Sequence, residues 1–290
     1  MLLRIVSILF PLFAITAIGF MVGRRAKPDL SHANKLNMDV FVPALVFGAL
    51  ANKSFHITEF LPLLGATLAV VIGSGLLGLL TARVLGIAPK TLVPPIMFNN
   101  CGNLGLPLAV LAFGEQALAP AVVMFMVSNL LHFSFGAWLL DHQIKLGGIW
   151  KVPSVLATMA GLAVGLSGFE VWEPAMIAIR MLGEISIPLM LFALGVRLTE
   201  SRIGEIRLGL IGAVARPVIG MLLAAAIMLV VPLPERERAL LLVFGALPPA
   251  VLNYIFAERY HQEPEKVASI VLIGNVAALA FLPLALAMGL

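Results

Sequence analysis

The sequence is dominated by long stretches that carry almost no charge and are long enough to cross a lipid bilayer. A membrane-spanning helix needs about 20 mainly apolar residues. Because backbone amides in hydrocarbon must be paired within the segment, such stretches are expected to fold as helices. Eight stretches qualify: 3–23, 59–82, 91–114, 117–140, 152–169, 207–231, 238–258 and 266–289.

Two weaker stretches raise the expected number of spans to ten. Their uncharged parts cover only 40–52 and 185–196, but each reaches spanning length when the polar turns before it are included. This gives spans at 34–52 and 175–197. The sequence therefore predicts an all-α polytopic membrane protein with ten transmembrane helices.

The composition supports this class and argues against others. Of the 290 residues, 61% are hydrophobic and 12% are charged, whereas soluble domains are about half apolar and a quarter charged. The formal net charge is only +4 and the basic residues do not cluster, so no nucleic-acid partner is expected. Cys101 is the single cysteine, which excludes an intrachain disulfide. The five histidines lack metal-ligand spacing, so neither a metal site nor a cofactor is predicted.

The two halves of the chain resemble each other. PALVFGAL starts at Pro43 and PLMLFALG starts at Pro188, an offset of 145 residues. Five spans per half invert the second half in the membrane, an arrangement typical of secondary transporters. We expect two inverted five-helix repeats, 1–141 and 152–290, joined by a short cytoplasmic linker at 142–151. Three further pairs have offsets of 143 to 146: Glu115 and Glu258, Pro120 and Pro264, and Asn129 and Asn275.

The distribution of basic residues predicts the orientation. Of the 19 lysines and arginines, thirteen lie in the loops after odd-numbered spans and five on the opposite side. Cytoplasmic loops carry the excess of positive charge, so the loops after odd-numbered spans are expected in the cytoplasm. Both termini are then expected on the outer side of the cell (inner) membrane. Arg24 and Arg25 end the first stretch without a convincing cleavage site, which favours a span over a secretory signal.

Span 4 contains the segment FNNCGNLGLP at positions 98–107, in the middle of an uncharged stretch. Pro107 cannot donate a backbone hydrogen bond, and Gly102 and Gly105 weaken a helix. These residues predict that the span unwinds near 100–106 and leaves two half-helices. A helix starting at Pro107 would direct its free amides, and the positive end of its dipole, at the membrane midplane, which suits an anion.

Span 9 contains a second predicted break. Pro248 and Pro249 lie in mid-membrane within FGALPPAVLNYIFAE. Interrupted helices at matching positions of two halves indicate a transport site. Ordinary proline kinks are the alternative, but the asparagines beside the breaks favour a site. The predicted substrate-binding residues are Asn99, Asn100, Asn103, Asn253 and Arg216.

These motifs resemble a known family. NNCGNLGLPL in span 4, ALPPAVLNYIFAE in span 9 and the proline-centred spans 2 and 7 are similar to bacterial members of the auxin efflux carrier family, several of which are labelled malonate carriers. The resemblance implies a ten-span fold in which the broken helices 4 and 9 cross. It also implies a scaffold domain and a moving domain that carry organic anions by alternating access. The long hydrophilic centre of many plant members is absent here.

Four ionisable residues within or near spans have open roles. Arg216 could attract the substrate, pair with a carboxylate such as Asp39 or Glu184, or extend towards the cytoplasmic headgroups. Asp39 and Glu184 could carry protons or could be acids at helix N-termini that face headgroups. His132, within span 5, could relay protons or be structural.

The sequence thus favours a secondary transporter for a small organic carboxylate, with the lipid bilayer as its other partner and a homodimer left open. The alternative within transport is a sodium- or proton-coupled symporter of the bile-acid-transporter type. An intramembrane enzyme would need a nucleophile–base pair or a metal motif at membrane depth, and the sequence offers no catalytic residue of that kind.

Overall fold

The computed structural model describes residues 1–51, 57–143, 146–200 and 204–289, and within these ranges the chain forms helices and no strand. Most helices are apolar along nearly their whole length, as expected for helices that face lipid or one another. The α-helices, in chain order, are α1 Leu2–Ala26, α2 Ser31–Leu36, α3 Val42–Leu50, α4 Leu61–Leu85, α5 Pro89–Met97, α6 Leu106–Phe113, α7 Leu118–Leu131, α8 Ala137–Leu140, α9 Pro153–Ser167, α10 Glu173–Glu200, α11 Ile206–Met228, α12 Glu235–Ala246, α13 Leu252–Arg259 and α14 Pro264–Gly289.

Six helical stretches are long and apolar enough to cross a membrane. The protein is therefore a multi-pass membrane protein of helical type. In the other four predicted spans, at 34–52, 91–114, 152–169 and 238–258, the helices are shorter or interrupted. The six long stretches are Leu2–Ala26, Ile57–Leu85, Glu115–Leu140, Glu173–Thr199, Ile206–Met228 and Pro264–Gly289.

Two sets of helices can be distinguished by their packing. In one set α10 packs against both α1 and α3, and α3 also packs against α9. In the other set α11 packs against α4, α12 and α14, while α4 also contacts α5 and α7. The sets meet where α6, α7 and the turn before α6 contact α1, α3 and α10.

Glycines allow the closest helix contact in the first set. A Cβ atom added to Gly195 would collide with the backbone of Thr16 and Phe20, and one added to Gly19 would collide with the backbone of Phe192. Small residues that let helix backbones approach closely are typical of membrane interfaces, where lipid provides no hydrophobic drive for association. The backbones of α1 and α10 are therefore in close contact.

Two helical runs are interrupted in the second set. α5 ends at Met97 and is followed by non-helical residues 98–100, a π-helical turn at Cys101–Gly105, and α6. The sequence predicted unwinding at 100–106, whereas the non-helical residues lie slightly earlier because the segment from Cys101 onwards already forms a helical turn. The second interruption lies between α12 and α13, and Pro248 and Pro249 are within it.

Candidate functional site

The two interruptions meet and pair through their backbones. The backbone amide of Asn100 donates to the Pro248 carbonyl (2.8 Å), and the backbone amide of Ala250 donates to the Phe98 carbonyl (3.0 Å). Asn99 and Pro249 face each other in a single antiparallel bridge. Non-helical backbone at membrane depth must find partners of this kind. We call residues 98–100 and 248–250 the paired segments.

Two of the predicted asparagines hold the paired segments in place. The Asn99 side-chain amide donates to the Phe244 carbonyl at 2.7 Å, near the end of α12. The Asn253 side-chain amide donates to the carbonyls of Phe98 and Ala250, both at 3.0 Å. Both side chains are buried. Each of these side-chain amides is a second donor to a carbonyl group at the interruptions that also accepts a backbone amide.

A third contact involves a residue that sequence reasoning did not place in the site. The side-chain amide of Asn100 donates to the side-chain oxygen of Asn275 (3.2 Å). The side-chain amide of Asn275 donates to the Pro249 carbonyl (3.1 Å) and to the Val271 carbonyl (2.8 Å). Asn275 therefore connects both paired segments to α14. In the sequence, Asn275 is a lone amide within a predicted span, and its match with Asn129 supports only the repeat.

A cavity of about 200 Å³ lies beside the paired segments. We call it the amide cavity, because the predicted residues Asn99, Asn100 and Asn103 all line it. Asn103 is partly exposed there, and its side chain has no hydrogen-bond partner in the part of the chain that the structure describes. Its amide group is therefore available to a ligand.

All three π-helical turns of the described chain contribute to this cavity. They are Asn37–Phe41, Cys101–Gly105 and His132–Gly136, and each has at least two residues in the cavity wall. Gly102 belongs to the middle turn and also lines the cavity, whereas Gly105 and Pro107 lie beyond it. Single π-helical turns are frequent at functional sites. Their convergence supports this cavity as the site.

Several buried polar atoms of the residues around the cavity lack a partner among the described residues. They are the Asn37 and Asn99 side-chain oxygens and the His132 Nε2 atom. A buried polar atom without a partner costs about 1–3 kcal/mol, so such atoms call for a ligand, a water or a rearrangement that satisfies them. Neither Asn37 nor His132 was predicted as a binding residue, because partners in other spans cannot be read from spacing.

The His132 ring is held in place by aromatic contacts. It stacks on Phe98 with ring centroids 4.1 Å apart and an interplanar angle of 6°, and it meets Phe256 edge-on at 5.1 Å. These contacts link the π-helical turn of His132 to the first interruption and to α13. They favour a positioning role, while the proton-relay hypothesis for His132 stays a prediction.

Arg216 is not brought to the amide cavity. Its side chain is 1% exposed, and its Nη1 atom donates to the Gly245 carbonyl at 3.3 Å near the end of α12. Its Nε atom has no partner among the described residues, and no ion pair with Asp39 or Glu184 is seen there. At this burial the guanidinium does not reach headgroups. It places a positive charge at the carbonyl end of α12, where the helix dipole is negative.

A second, larger cavity of about 670 Å³ lies at the other end of α3 and α10. We call it the distal cavity. Glu184 lines the distal cavity and Asp39 lines the amide cavity, so the two acids that match at the repeat offset lie in different cavities. Their role as proton carriers or as helix N-terminal acids stays open.

Comparison with known proteins identifies the family. The model of a family described as membrane transport protein, the auxin efflux carrier family, matches residues 4–145 and 140–286. The chain belongs to this family. The resemblance seen in the sequence motifs is thereby confirmed, and the protein is a transporter with transmembrane helices.

Two relatives of this auxin efflux carrier family member are similar at low identity. The "Putative malonate transporter" of Rhizobium meliloti is 26% identical over 200 residues, which cover 63% of this chain and 62% of the relative. An uncharacterized transporter of Methanocaldococcus jannaschii is 24% identical over 274 residues, covering 87% of this chain and 88% of the relative. The match thus spans less than two thirds of the Rhizobium protein.

The arrangement can bind a small polar molecule at the middle of this family member. Backbone groups, asparagine amides and polar atoms that lack a partner among the described residues line the cavity, and its charged groups are few. No cluster of three or more histidine, cysteine, aspartate or glutamate residues that could hold a metal ion occurs in the described ranges. The site offers hydrogen bonds and shape as its means of recognition.

Proposed function

We propose that the protein is a secondary transporter that moves a small organic carboxylate across the cytoplasmic (inner) membrane, and that it is not an enzyme. In this proposal ten spans form two inverted repeats, 1–141 and 152–290, with a linker at 142–151 and both termini outside. Spans 4 and 9 are the broken helices, and they cross at the paired segments. Asn99, Asn100 and Asn103 bind the substrate, and Asn253 and Arg216 support the site.

The observation that carries this proposal is the cavity beside the paired segments. Two interrupted helices from different halves of the chain meet there, and polar atoms without partners lie in its wall. Discontinuous helices near the midplane form substrate sites in many secondary transporters. The cavity volume of about 200 Å³ is below the range for drug-sized ligands, which favours a substrate of a few carbon atoms.

The positions of the two cavities support alternating access. The amide cavity contacts the first turns of the α3 region and the last part of α10, including Val42 and Ala193. The distal cavity contacts the later part of α3 and the first half of α10, including Gly48 and Gly183. The cavities therefore occupy opposite ends of one seam between the two helix sets. Movement along this seam would expose a central site first to one end and then to the other.

A carboxylate is supported as the substrate class by the relative named as a malonate transporter and by the helix ends near the cavity. The helical run that starts with the π-helical turn at Cys101 follows Asn100 directly, and α13 follows Val251, so both helical runs begin close to the paired segments. Helix N-termini favour anions. Malonate is therefore the first compound to test.

The proposal is tested by binding and transport with purified protein. In a thermal-shift screen of mono- and dicarboxylates, a compound that binds only the folded state raises the unfolding temperature. Proteoliposomes loaded with the best compound should then accumulate its labelled form by counterflow. Repeating the assay with and without a sodium or proton gradient separates the proposed carrier from the ion-coupled alternative. If no carboxylate shifts unfolding or shows counterflow, the substrate class is wrong.

A further inference from the structure

The amide cavity contains a positive charge that the sequence motifs did not single out. Among the described residues that line it, Arg197 is the one lysine or arginine, and it lies in the last part of α10. Arg216, the arginine that the sequence predicted in the site, lies outside this cavity and donates to the Gly245 carbonyl. The remaining ionisable lining residues are Asp39, Cys101 and His132.

We propose that Arg197 supplies the positive charge that recognises the carboxylate group of the substrate in the amide cavity. This inference rests on the proposed function. An anion that leaves water for a small, mostly apolar cavity needs charge-assisted hydrogen bonds to offset its desolvation. Asparagine amides provide neutral donors, whereas the arginine fork matches a carboxylate with two parallel donors.

The placement of Arg197 makes the site a composite of the two helix sets. Asn99, Asn100 and Asn103 belong to the interrupted run that packs with the second set, whereas α10 belongs to the first set together with α1 and α3. α10 also contacts the π-helical turn at Cys101–Gly105. The substrate would be held between these two sets, and relative movement of the sets would separate Arg197 from the asparagines.

The opposite end of the same helix offers a matched control. Arg180 lies seventeen positions earlier in α10 (197 − 180), about 25 Å away at the helical rise, and it lines the distal cavity. Replacing Arg180 removes the same charge from the same helix without touching the amide cavity. Glu115 and Glu184 also line the distal cavity, so that cavity is the less suited of the two to an anion.

The experiment measures malonate binding to purified variants. We expect Arg197→Gln to weaken binding roughly ten- to a hundredfold, the effect of losing one charge-assisted hydrogen bond, and Arg197→Lys to weaken it less. Arg180→Gln should bind as the parent does. The unfolding temperatures without ligand should stay within a few degrees of the parent. Equal binding by Arg197→Gln and the parent would overturn the inference.

A charge-rescue variant excludes a merely structural role. In a Cys101→Ala background that binds malonate, Arg197→Cys should bind weakly and should regain affinity after reaction with a trimethylammonium methanethiosulfonate. The neutral methyl reagent should give no recovery. Failure of the cationic adduct to restore any binding counts against Arg197 as the recognising charge.

If Arg197→Gln binds normally while Asn103→Ala does not, the inference fails and the proposed function stands. If the parent binds no carboxylate, both fail.

Discussion

The side-chain amide of Asn100 donates a hydrogen bond to the side-chain oxygen of Asn275, and Asn275 in turn donates to the Pro249 carbonyl. This chain of contacts joins a segment of the first half of the protein to a segment of the second half through α14. Both asparagines are buried, so neither contact is exchanged with bulk water. A residue outside both interruptions therefore reinforces the backbone pairing between them.

Replacing Asn275 should destabilise the protein. Asn275→Ala removes the partner of the Pro249 carbonyl and of the Asn100 side-chain amide, which should lower the free energy of unfolding by about 1–3 kcal/mol. We expect a lower unfolding temperature in detergent. Asn129→Ala is the matched control, because Asn129 is the repeat counterpart of Asn275 and its side chain makes no hydrogen bond in the described ranges. Equal unfolding temperatures for both variants would show that the Asn275 contacts contribute little.

Asn103 and Asn253 should respond differently to substitution. Asn103→Ala should lower malonate affinity about ten- to a hundredfold while leaving the unfolding temperature unchanged, since its side-chain amide has no partner to lose among the described residues. Asn253→Ala should lower the unfolding temperature, because its amide holds the Phe98 and Ala250 carbonyls. Titration with malonate and thermal unfolding, performed on the same preparations, distinguish the two effects. A stable Asn253→Ala protein with weak binding would instead favour direct contact with the substrate.

Arg216 should be more important for transport than for stability. Replacing an incompletely paired buried charge by an apolar residue of similar size is often neutral or stabilising. We therefore expect Arg216→Met to unfold at the same or a higher temperature and to transport at least tenfold more slowly in counterflow. Arg83→Met, at an exposed position outside both cavities, is the control. Normal transport by Arg216→Met would exclude a functional charge at this position.

The contact between α11 and α12 should not tolerate a larger side chain. A Cβ atom on Gly245 would lie 2.5 Å from the Gly220 carbonyl oxygen, and one on Gly220 would also collide with the Arg216 guanidinium. Gly245→Ala should therefore cost about 1–3 kcal/mol of stability, as overpacking usually does. Gly65→Ala is the control, because no atom lies within 4 Å of an added Cβ there. Thermal unfolding of both variants measures this difference in stability.

The predicted orientation can be checked by labelling single cysteines in intact cells. In a Cys101→Ala background, Ser31→Cys should be shielded from an impermeant thiol reagent, and Gln116→Cys should react. Both positions are exposed, so access to the reagent depends on the side of the membrane and not on burial. Labelling again after permeabilisation provides the control. The reverse pattern would invert the assignment of the termini. Ser201, another natural choice, lies outside the described residues.

The sequence alone predicted the helical class, and the structure has non-helical residues near both of the predicted breaks. Their edges were less accurate, because Gly102 and Gly105 are compatible with a π-helical turn and Pro107 with the first turn of a helix. The non-helical residues are Phe98 to Asn100, which pair with a distant segment.

The partners of individual side chains could not be predicted. Asn253 and Asn103 look alike in the sequence, but within the described ranges only Asn253 has carbonyl acceptors, and one of them, Phe98, is 155 positions away. Arg197 looked like an ordinary loop cation, because its cavity is formed by helices from both halves. Local patterns determine helices, whereas the composition of a cavity depends on which helices become neighbours.

The pairing of the two interruptions also has a consequence for biosynthesis. The Phe98 carbonyl and the Asn100 amide find their backbone partners only at Ala250 and Pro248, so the first interruption cannot be completed until nearly the whole chain has left the ribosome. Until then this stretch must either remain helical or be protected by water or the insertion machinery. A nascent chain that stops before Pro248 should be a preferred target for membrane quality control.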